Sequence, residues 1–184
     1  MSVDLIRFII FAAVLGGVIV AALMIKSFRP YLRKAPLVAF LLGISSGFPF
    51  TLLVATMTFW LAKVGIDTAT IGFAVALTLP YTLKFLWAPL VDKLPLPFLT
   101  KTFGQRRGWL FFVQTFLFLA IWQLGASDPR PGHLGVFAIW AFAVAFLSAT
   151  QDIVIDAYRI EILDEEEFAH GTATNEFGYR TGNL

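Results

Sequence analysis

The sequence predicts an all-α membrane protein, a polytopic bundle of apolar helices. Hydrophobic residues make up 58% of its 184 positions and only 14% are charged, and the mean hydropathy is +0.79. A soluble domain carries about 25% charged residues, because polar side chains must cover its surface. The charges that do occur lie between long charge-free runs, which is the pattern of helices that cross a lipid bilayer.

Five charge-free runs determine the predicted spans, at 8–25, 35–62, 68–83, 108–127 and 131–151. A helix needs roughly 20 mostly apolar residues to cross a hydrocarbon layer about 30 Å thick. The third run reaches that length by continuing through Lys84 to about Val91. We therefore expect a further helix from near Thr172 and, before it, spans at about 8–25, 35–62, 71–92, 108–126 and 134–162.

The first span is predicted as a retained helix or signal-anchor within an N-terminal extension at 1–28. A cleaved signal peptide is the alternative, because one basic residue, Arg7, precedes the apolar run. No small-x-small cleavage site stands before Lys26, which favours the retained helix. The second unit, 29–184, contains the better-patterned spans and the start of a further one.

The basic residues indicate an orientation. The segments after the first and third spans carry eight of them, whereas the other connections carry only Lys63 and Arg130. The positive-inside rule places the basic segments in the cytoplasm, so we expect a multi-pass protein surrounded by lipid. Orientation also accounts for the net charge of +2, and a nucleic-acid partner is not expected.

Motifs of soluble enzymes and metal sites are absent from the sequence. It contains no G-x-G-x-x-G, Walker A, H-E-x-x-H or nucleophile-elbow motif, and no cysteine. His133 and His170 are predicted on opposite sides of the membrane and do not form a metal pair. We expect no enzyme activity, no cofactor and no metal. An intramembrane enzyme is the remote alternative, with only Asp152 and Asp156 available within the spans.

Ionisable residues inside the spans are the main functional signal. Each costs about 2.5–3.5 kcal/mol to insert, so such residues usually mark a pathway or a partner. Lys84 and Asp152 lie on two inward-running helices, ~12 Å and ~13 Å from the cytoplasmic ends of those helices at about 1.5 Å per residue. We expect both to face the bundle interior, close enough to interact directly or through water. The alternative places both at the interface, with Lys84 extended toward water.

Asp156 follows Asp152 by one turn on the same helical face. Stacked carboxylates suit a proton relay, because each disfavours ionisation of its neighbour. A structural ion pair between Asp156 and Arg159 is the equal alternative.

Two further features concern helix ends and helix packing. Asp92 and Arg159 are predicted near the cytoplasmic ends of inward-running helices, where they form either an inner latch or two solvated charges. Gly43 and Gly47 form a G-x-x-x-G motif that Pro49 follows. This pattern indicates close helix packing or a broken helix that lines a cavity.

Four strings in order resemble the AmpG-type anhydromuropeptide permeases of the major facilitator superfamily: LLGISSGFPFTL at 41–52, LKFLWAPLVDK at 83–93, GQRRGW at 104–109 and SATQDIVIDAYRIEIL at 148–163. The similarity runs from about Arg29 to Leu184, and Q-D-I-V-x-D-A is its most specific part. The superfamily motif after the second helix is matched more loosely, because Ala88 stands where that motif has glycine.

The resemblance implies a proton-driven importer of peptidoglycan-derived anhydromuropeptides in the bacterial inner membrane, acting in cell-wall recycling. It implies proton coupling at Asp152 and Asp156 and contact with the cargo at Lys84 and Gln151. The gating candidates are charged residues near the cytoplasmic ends of the helices. They are Asp92 and Arg159 of the latch, together with Arg106 and Arg107, which match the end of the superfamily motif.

Transporters of this superfamily have two halves of about six spans each, and the cargo binds between the halves. This sequence predicts an incomplete N-terminal half, either a fragment or a natural truncation. Its expected partners are the missing C-terminal half or another membrane protein, together with a glycopeptide cargo and protons. A truncated, non-transporting relative that acts as an accessory or assembly subunit is the alternative function, and an acyl-coenzyme A is an alternative cargo.

Overall fold

The computed structural model describes residues 26–130 and 132–184, together with the isolated positions 13, 16, 17 and 20. Within the described part, four helices are long and apolar enough to cross a membrane. They match the four spans predicted after residue 29, which confirms the all-α polytopic class. The predicted first span, 8–25, falls outside this description except at those isolated positions, so its retention stays a prediction.

The four spans and three shorter helices follow one another with brief connections. In chain order the described helices are α1 (Lys34–Lys63), α2 (Thr68–Leu86), α3 (Ala88–Lys93), α4 (Leu99–Phe103), α5 (Gln105–Ala126), α6 (Leu134–Ile162) and α7 (Phe168–Gly182). Short 3₁₀ segments, Lys26–Leu32 and Glu165–Glu167, precede α1 and α7.

The first span, α1, stays continuous past Pro49, although its turns widen there. Residues Leu52–Thr56 adopt a π-helical turn, a form that usually occurs as a local bulge within an α-helix. Pro49 lacks a backbone N–H, and its ring crowds the carbonyl four residues earlier. The hydrogen-bond ladder therefore changes spacing just after the proline, and α1 is distorted but not broken.

The second span, α2, is the interrupted one. Its α-helical turns stop at 77–78, resume over Leu79–Leu83 and change to a 3₁₀ turn at Lys84–Leu86. Pro80 and Pro89 explain the interruptions, because each lacks an N–H and crowds the carbonyl four residues before it. The stretch predicted as one span at 71–92 is therefore divided into short pieces, and Lys84 lies on the 3₁₀ turn.

The third and fourth spans, α5 and α6, pack together, and their buried side chains form two cores. One core joins them to the C-terminal half of α1 and includes Leu53, Met57, Leu61, Leu117, Leu124, Phe137 and Val144. The other joins them to α3 and includes Val91, Trp109, Val113, Ile153, Val154 and Ile155. This packing places Asp152 of α6 between α1 and α2.

The last helix, α7, crosses α1 at very short range. A Cβ atom at Gly43 would overlap the backbone oxygen of Asn175, and one at Gly47 would overlap the backbone oxygen of Tyr179. The G-x-x-x-G motif of α1 therefore lies directly at this crossing, where small residues allow two backbones to approach.

On the α7 side of the crossing, two glycines likewise lie against the backbone of α1. A Cβ atom at Gly178 would overlap the backbone oxygen of Phe40, and one at Gly182 would lie 2.5 Å from that of Ile44. Each helix thus contributes two glycines four residues apart, and the crossing brings the polar residues of α7 next to those of α1 and α6.

Candidate functional site

Lys84 lies between two carboxylates of α6. Its Nζ is 3.8 Å from Asp152 Oδ2 and 3.7 Å from Asp156 Oδ2. The side chain is 32% exposed, so the lysine is oriented into the bundle instead of extending fully toward water. The predicted proximity of Lys84 and Asp152 is therefore present in the structure.

Asp152 is held by helices on both of its sides. Ser46 of α1 donates a 2.6 Å hydrogen bond from its Oγ to Asp152 Oδ1, while Oδ2 faces Lys84 of α2. The carboxylate side chain is only 16% exposed. One residue thus connects three spans, and sequence analysis did not identify Ser46 as part of this site.

Asp156 occupies a more open position one turn along α6. Its side chain is 53% exposed, and its Oδ1 lies 3.6 Å from Nη2 of Arg159. The ion pair with Arg159, offered by the sequence as the alternative to a proton relay, is present, and the other carboxylate oxygen of Asp156 faces Lys84. The relay itself stays a prediction.

A cavity of about 170 Å³ opens beside these carboxylates, between α1, α2, α6 and α7. The carboxylates, Ser46 and Lys84 line one side, and α7 contributes Asn175, Glu176 and Tyr179 to the other. The α7 residues were not predicted. The sequence feature that could have identified them is the spacing of Asn175 and Tyr179, which are four residues apart and so share a helical face.

Arg180 of α7 points away from this cavity. Its Nε lies 2.9 Å from Glu176 Oε1, and both side chains are largely exposed. An i,i+4 pair of this kind is a surface contact of small energetic weight. Arg180 therefore contributes no lining to the cavity.

Gln151 precedes Asp152 in the chain but faces another direction. It is fully buried, and its Nε2 donates to the backbone oxygen of Ser45 at 2.9 Å and to Ser45 Oγ at 3.2 Å. Within the described part of the chain, its Oε1 has no hydrogen-bond partner. Gln151, predicted as a cargo contact, therefore ties α6 to α1 and does not line the charged cavity.

Asp92 forms its ion pair with Arg106 and not with Arg159. Arg106 Nη1 lies 2.6 Å from Asp92 Oδ1, and its Nε lies 2.7 Å from Glu161 Oε1. Arg159 is turned toward Asp156, because residues three apart share a helical face. The predicted Asp92–Arg159 latch is thus replaced by an arginine that bridges α3 and α6 from the start of α5.

Arg107 attaches the start of α5 to α6 at a second point. Its Nε donates a 3.0 Å hydrogen bond to the hydroxyl of Tyr158, and its guanidinium carbon lies 5.8 Å from the centre of that ring. The contact therefore combines a hydrogen bond with a cation–π interaction.

A family model described as acetyl-coenzyme A transporter 1 matches residues 37–129, which is half of the chain. The chain belongs to this transporter family. The matched part carries α1 to α5 and hence Lys84, Asp92, Arg106 and Arg107.

Curated relatives also connect the chain with named permeases. The anhydromuropeptide permease of Escherichia coli strain K12 is 41% identical over 156 residues, which are 85% of this chain and 31% of the permease. A Rickettsia felis protein whose name describes it as transporter AmpG 4 is 40% identical over 146 residues, 79% of this chain and 34% of that protein. The predicted resemblance to AmpG-type permeases is therefore confirmed.

The chain spans about a third of the length of these curated relatives. No solved structure gives a significant match. The relatives bear the names of a permease and a transporter, and the four apolar helices indicate that this chain is a multi-pass membrane protein.

Proposed function

We propose that this chain supplies part of a proton-coupled secondary transporter that imports peptidoglycan-derived anhydromuropeptides across the bacterial inner membrane. The observation that carries the proposal is the cluster of Lys84, Asp152 and Asp156 beside a cavity between spans. Ionisable residues are costly within a bilayer, and those that face a bundle interior commonly belong to a proton or solute pathway.

Asp152 and Asp156 are the proposed proton-coupling pair. When ionised, Asp152 accepts from Ser46 and attracts Lys84. When protonated, it keeps a hydrogen-bonding partner in Ser46 but loses its attraction for Lys84. Because Ser46, Lys84 and Asp152 belong to three different helices, a bound proton alters how α1, α2 and α6 attract one another. A ligand that binds two arrangements unequally shifts their populations, which is the basis of coupling.

The lining of the cavity favours a cargo rich in hydroxyl and amide groups. Asn175 and Tyr179 offer neutral polar groups, and the cations nearby already face carboxylates: Lys84, Arg159 and Arg180. A coenzyme A thioester carries several phosphate charges, whose recognition requires available cations. We therefore favour the cargo class in the name of the Escherichia coli relative over the one in the name of the family.

The cavity supplies one side of the proposed cargo site. Its volume of about 170 Å³ is below the roughly 300–1,000 Å³ of typical small-molecule sites. Cargo in major facilitator transporters binds between two halves that rock against each other. The proposed partner of this wall is therefore a second half, or another membrane protein that takes its place.

The charged bridge at the ends of α3, α5 and α6 is the proposed gate. Arg106 joins Asp92 and Glu161, and Arg107 binds Tyr158. The two carboxylates are about half exposed. These contacts can therefore open toward water without leaving a carboxylate buried and unpaired.

Replacing Asp152 with asparagine tests the proposal. We expect Asp152→Asn to abolish uptake of labelled anhydromuropeptide by cells in which the variant replaces the native protein, with its amount in the membrane unchanged. Asp164→Asn is the matched control, because Asp164 is exposed and its side chain makes no capping hydrogen bond. Collapse of the proton gradient should stop uptake by the native protein. Normal uptake by Asp152→Asn, or uptake that ignores the gradient, would contradict the coupling.

A further inference from the structure

The ammonium group of Lys84 is not committed to either of its carboxylates. It lies 3.8 Å from Asp152 Oδ2 and 3.7 Å from Asp156 Oδ2. Charge-assisted hydrogen bonds between ammonium and carboxylate groups are about 2.7–2.9 Å long, so both contacts are longer than a direct bond. A small movement of the lysine side chain would complete one contact at the expense of the other.

The two carboxylates differ in every other respect. Asp152 is mostly buried and receives the hydroxyl of Ser46. Asp156 is half exposed and has Arg159 as a second cation. Water and Arg159 stabilise a negative charge on Asp156, whereas burial makes the charge on Asp152 depend on its few neighbours. The two residues therefore do not suit the same role.

Protonation of Asp152 removes the negative charge that Lys84 faces on that side. A cation left without a partner inside a bundle is strongly destabilising. Asp156 removes that difficulty, because it already lies as close to Nζ as Asp152 does. We propose that Asp156 is the alternate counter-ion of Lys84: it takes over the lysine when Asp152 is protonated and releases it when Asp152 loses the proton.

This proposal rests on the proposed function, since it assumes that Asp152 binds the coupling proton. The two carboxylates then have different roles: Asp152 is the proton site, and Asp156 is a positioning residue that acts through Lys84. A relay in which both residues carry the proton is a different mechanism and has a different signature.

Other titratable groups near Asp152 are few in the described part of the chain. Besides the residues already discussed, Tyr81 of α2 and Glu176 and Tyr179 of α7 face the same region. Glu176 is paired with Arg180 and largely exposed, so its charge is screened by water. Lys84 and Asp156 are therefore the charges whose removal should most affect the proton affinity of Asp152.

The pH dependence of uptake tests the exchange. In Asp156→Asn the repulsion between carboxylates is lost and Lys84 has only Asp152, and both changes favour the ionised form of Asp152. Half-maximal uptake should therefore move to lower pH by about 1 unit, and uptake should persist in acid. In Lys84→Gln the ionised form loses its cation, so half-maximal uptake should move to higher pH. Asp156→Glu keeps the charge and should restore the native profile.

The outcomes separate this inference from the proposed function. If native uptake ignores the proton gradient, or Asp152→Asn transports normally, the proposed function fails. If those tests succeed but Asp156→Asn leaves the pH profile unchanged, or shifts it in the same direction as Lys84→Gln, only the exchange is overturned. Loss of uptake at every pH in a membrane-inserted Asp156→Asn protein would assign Asp156 to a proton relay and also overturn it.

A second variant covers the case in which Asp156→Asn does not accumulate in the membrane. If its defect is a lysine without an alternate partner, then Lys84→Gln combined with Asp156→Asn should restore the amount of inserted protein. If Lys84→Gln alone accumulates normally and the double variant still does not, Asp156 stabilises the fold independently of Lys84, which contradicts the proposal.

Discussion

A Gly178→Ala substitution would place a methyl group where the backbone of α1 already lies. The new Cβ would overlap the carbonyl oxygen of Phe40 and lie 3.0 Å from its carbonyl carbon. Backbone atoms cannot rotate away as a side chain can. Since favourable contact requires about 3.5–4.0 Å between carbon atoms, α1 and α7 must separate by roughly 1 Å. Overpacking of this kind costs about 1–3 kcal/mol.

Alanine also favours a helix over glycine by about 1 kcal/mol, so the prediction needs a matched control. Gly72 lies within α2, and a Cβ there would meet nothing within 4 Å. Gly72→Ala therefore has the propensity gain without the clash. We expect Gly178→Ala to be less stable than Gly72→Ala by about 1–3 kcal/mol, or roughly 2–12 °C in Tm for a chain of this size.

Thermal unfolding of the purified protein in detergent, followed by tryptophan fluorescence, measures this difference. Equal Tm values for the two variants would show that α1 and α7 do not approach each other as closely as the glycines indicate. Raising the side-chain volume further, with Gly178→Val, should enlarge the loss, and an unchanged Tm there would refute the reasoning more strongly.

Two further predictions concern the helix ends. Arg106→Ala removes the cation shared by Asp92 and Glu161. A double-mutant cycle with Glu161→Gln should give a coupling of about 0.5–1 kcal/mol in the free energy of unfolding, because the carboxylates are half exposed. A coupling near zero would show that the bridge does not contribute to stability. Asp67 caps α2 through hydrogen bonds from the hydroxyl and backbone N–H of Thr70, and these bonds lower its pKa. The cap therefore stabilises the first turn above about pH 4 and is lost as the pH falls through the lowered pKa. Hydrogen exchange should show a frayed first turn in Asp67→Ala at neutral pH and in the native protein only in acid; the same acid response in both would contradict this role.

The depth of charged residues was predictable, whereas their direction was not. Lys84 and Asp152 were matched by counting residues from the helix ends. The regular rise per residue holds for Asp152 in the continuous helix α6, whereas the count for Lys84 crosses a 3₁₀ turn and is only approximate. Gln151 and Asp152 are neighbours in the chain, so they point about 100° apart around α6. Which of them faces the cavity depends on where α1 and α7 pack, and a single sequence does not reveal that packing.

The partner of Asp92 depended on local backbone geometry outside the spans. Arg106 reaches Asp92 because Gly104 turns the chain with a positive φ of 84° just before α5. The helix α4 and this turn were not predicted, so the sequence favoured Arg159, which is also near a helix end. The polar wall on α7 was missed for a related reason, since only the glycine crossing brings that helix to the cavity.

Two consecutive serines of α1 are hydrogen-bonded to two consecutive residues of α6. Gln151 donates to the backbone oxygen of Ser45, and Ser46 donates to the carboxylate of Asp152. The two bonds act as a register lock, because sliding or rolling either helix by one residue would break both of them. The pair α1–α6 therefore behaves mechanically as a stiff frame. The compliant element is α2, whose proline interruptions let short pieces tilt separately. Lys84 therefore lies on the flexible helix α2, while Asp152 and Asp156 lie on the rigid helix α6. Movement of α2 can exchange one ion pair for the other while α1 and α6 stay packed together.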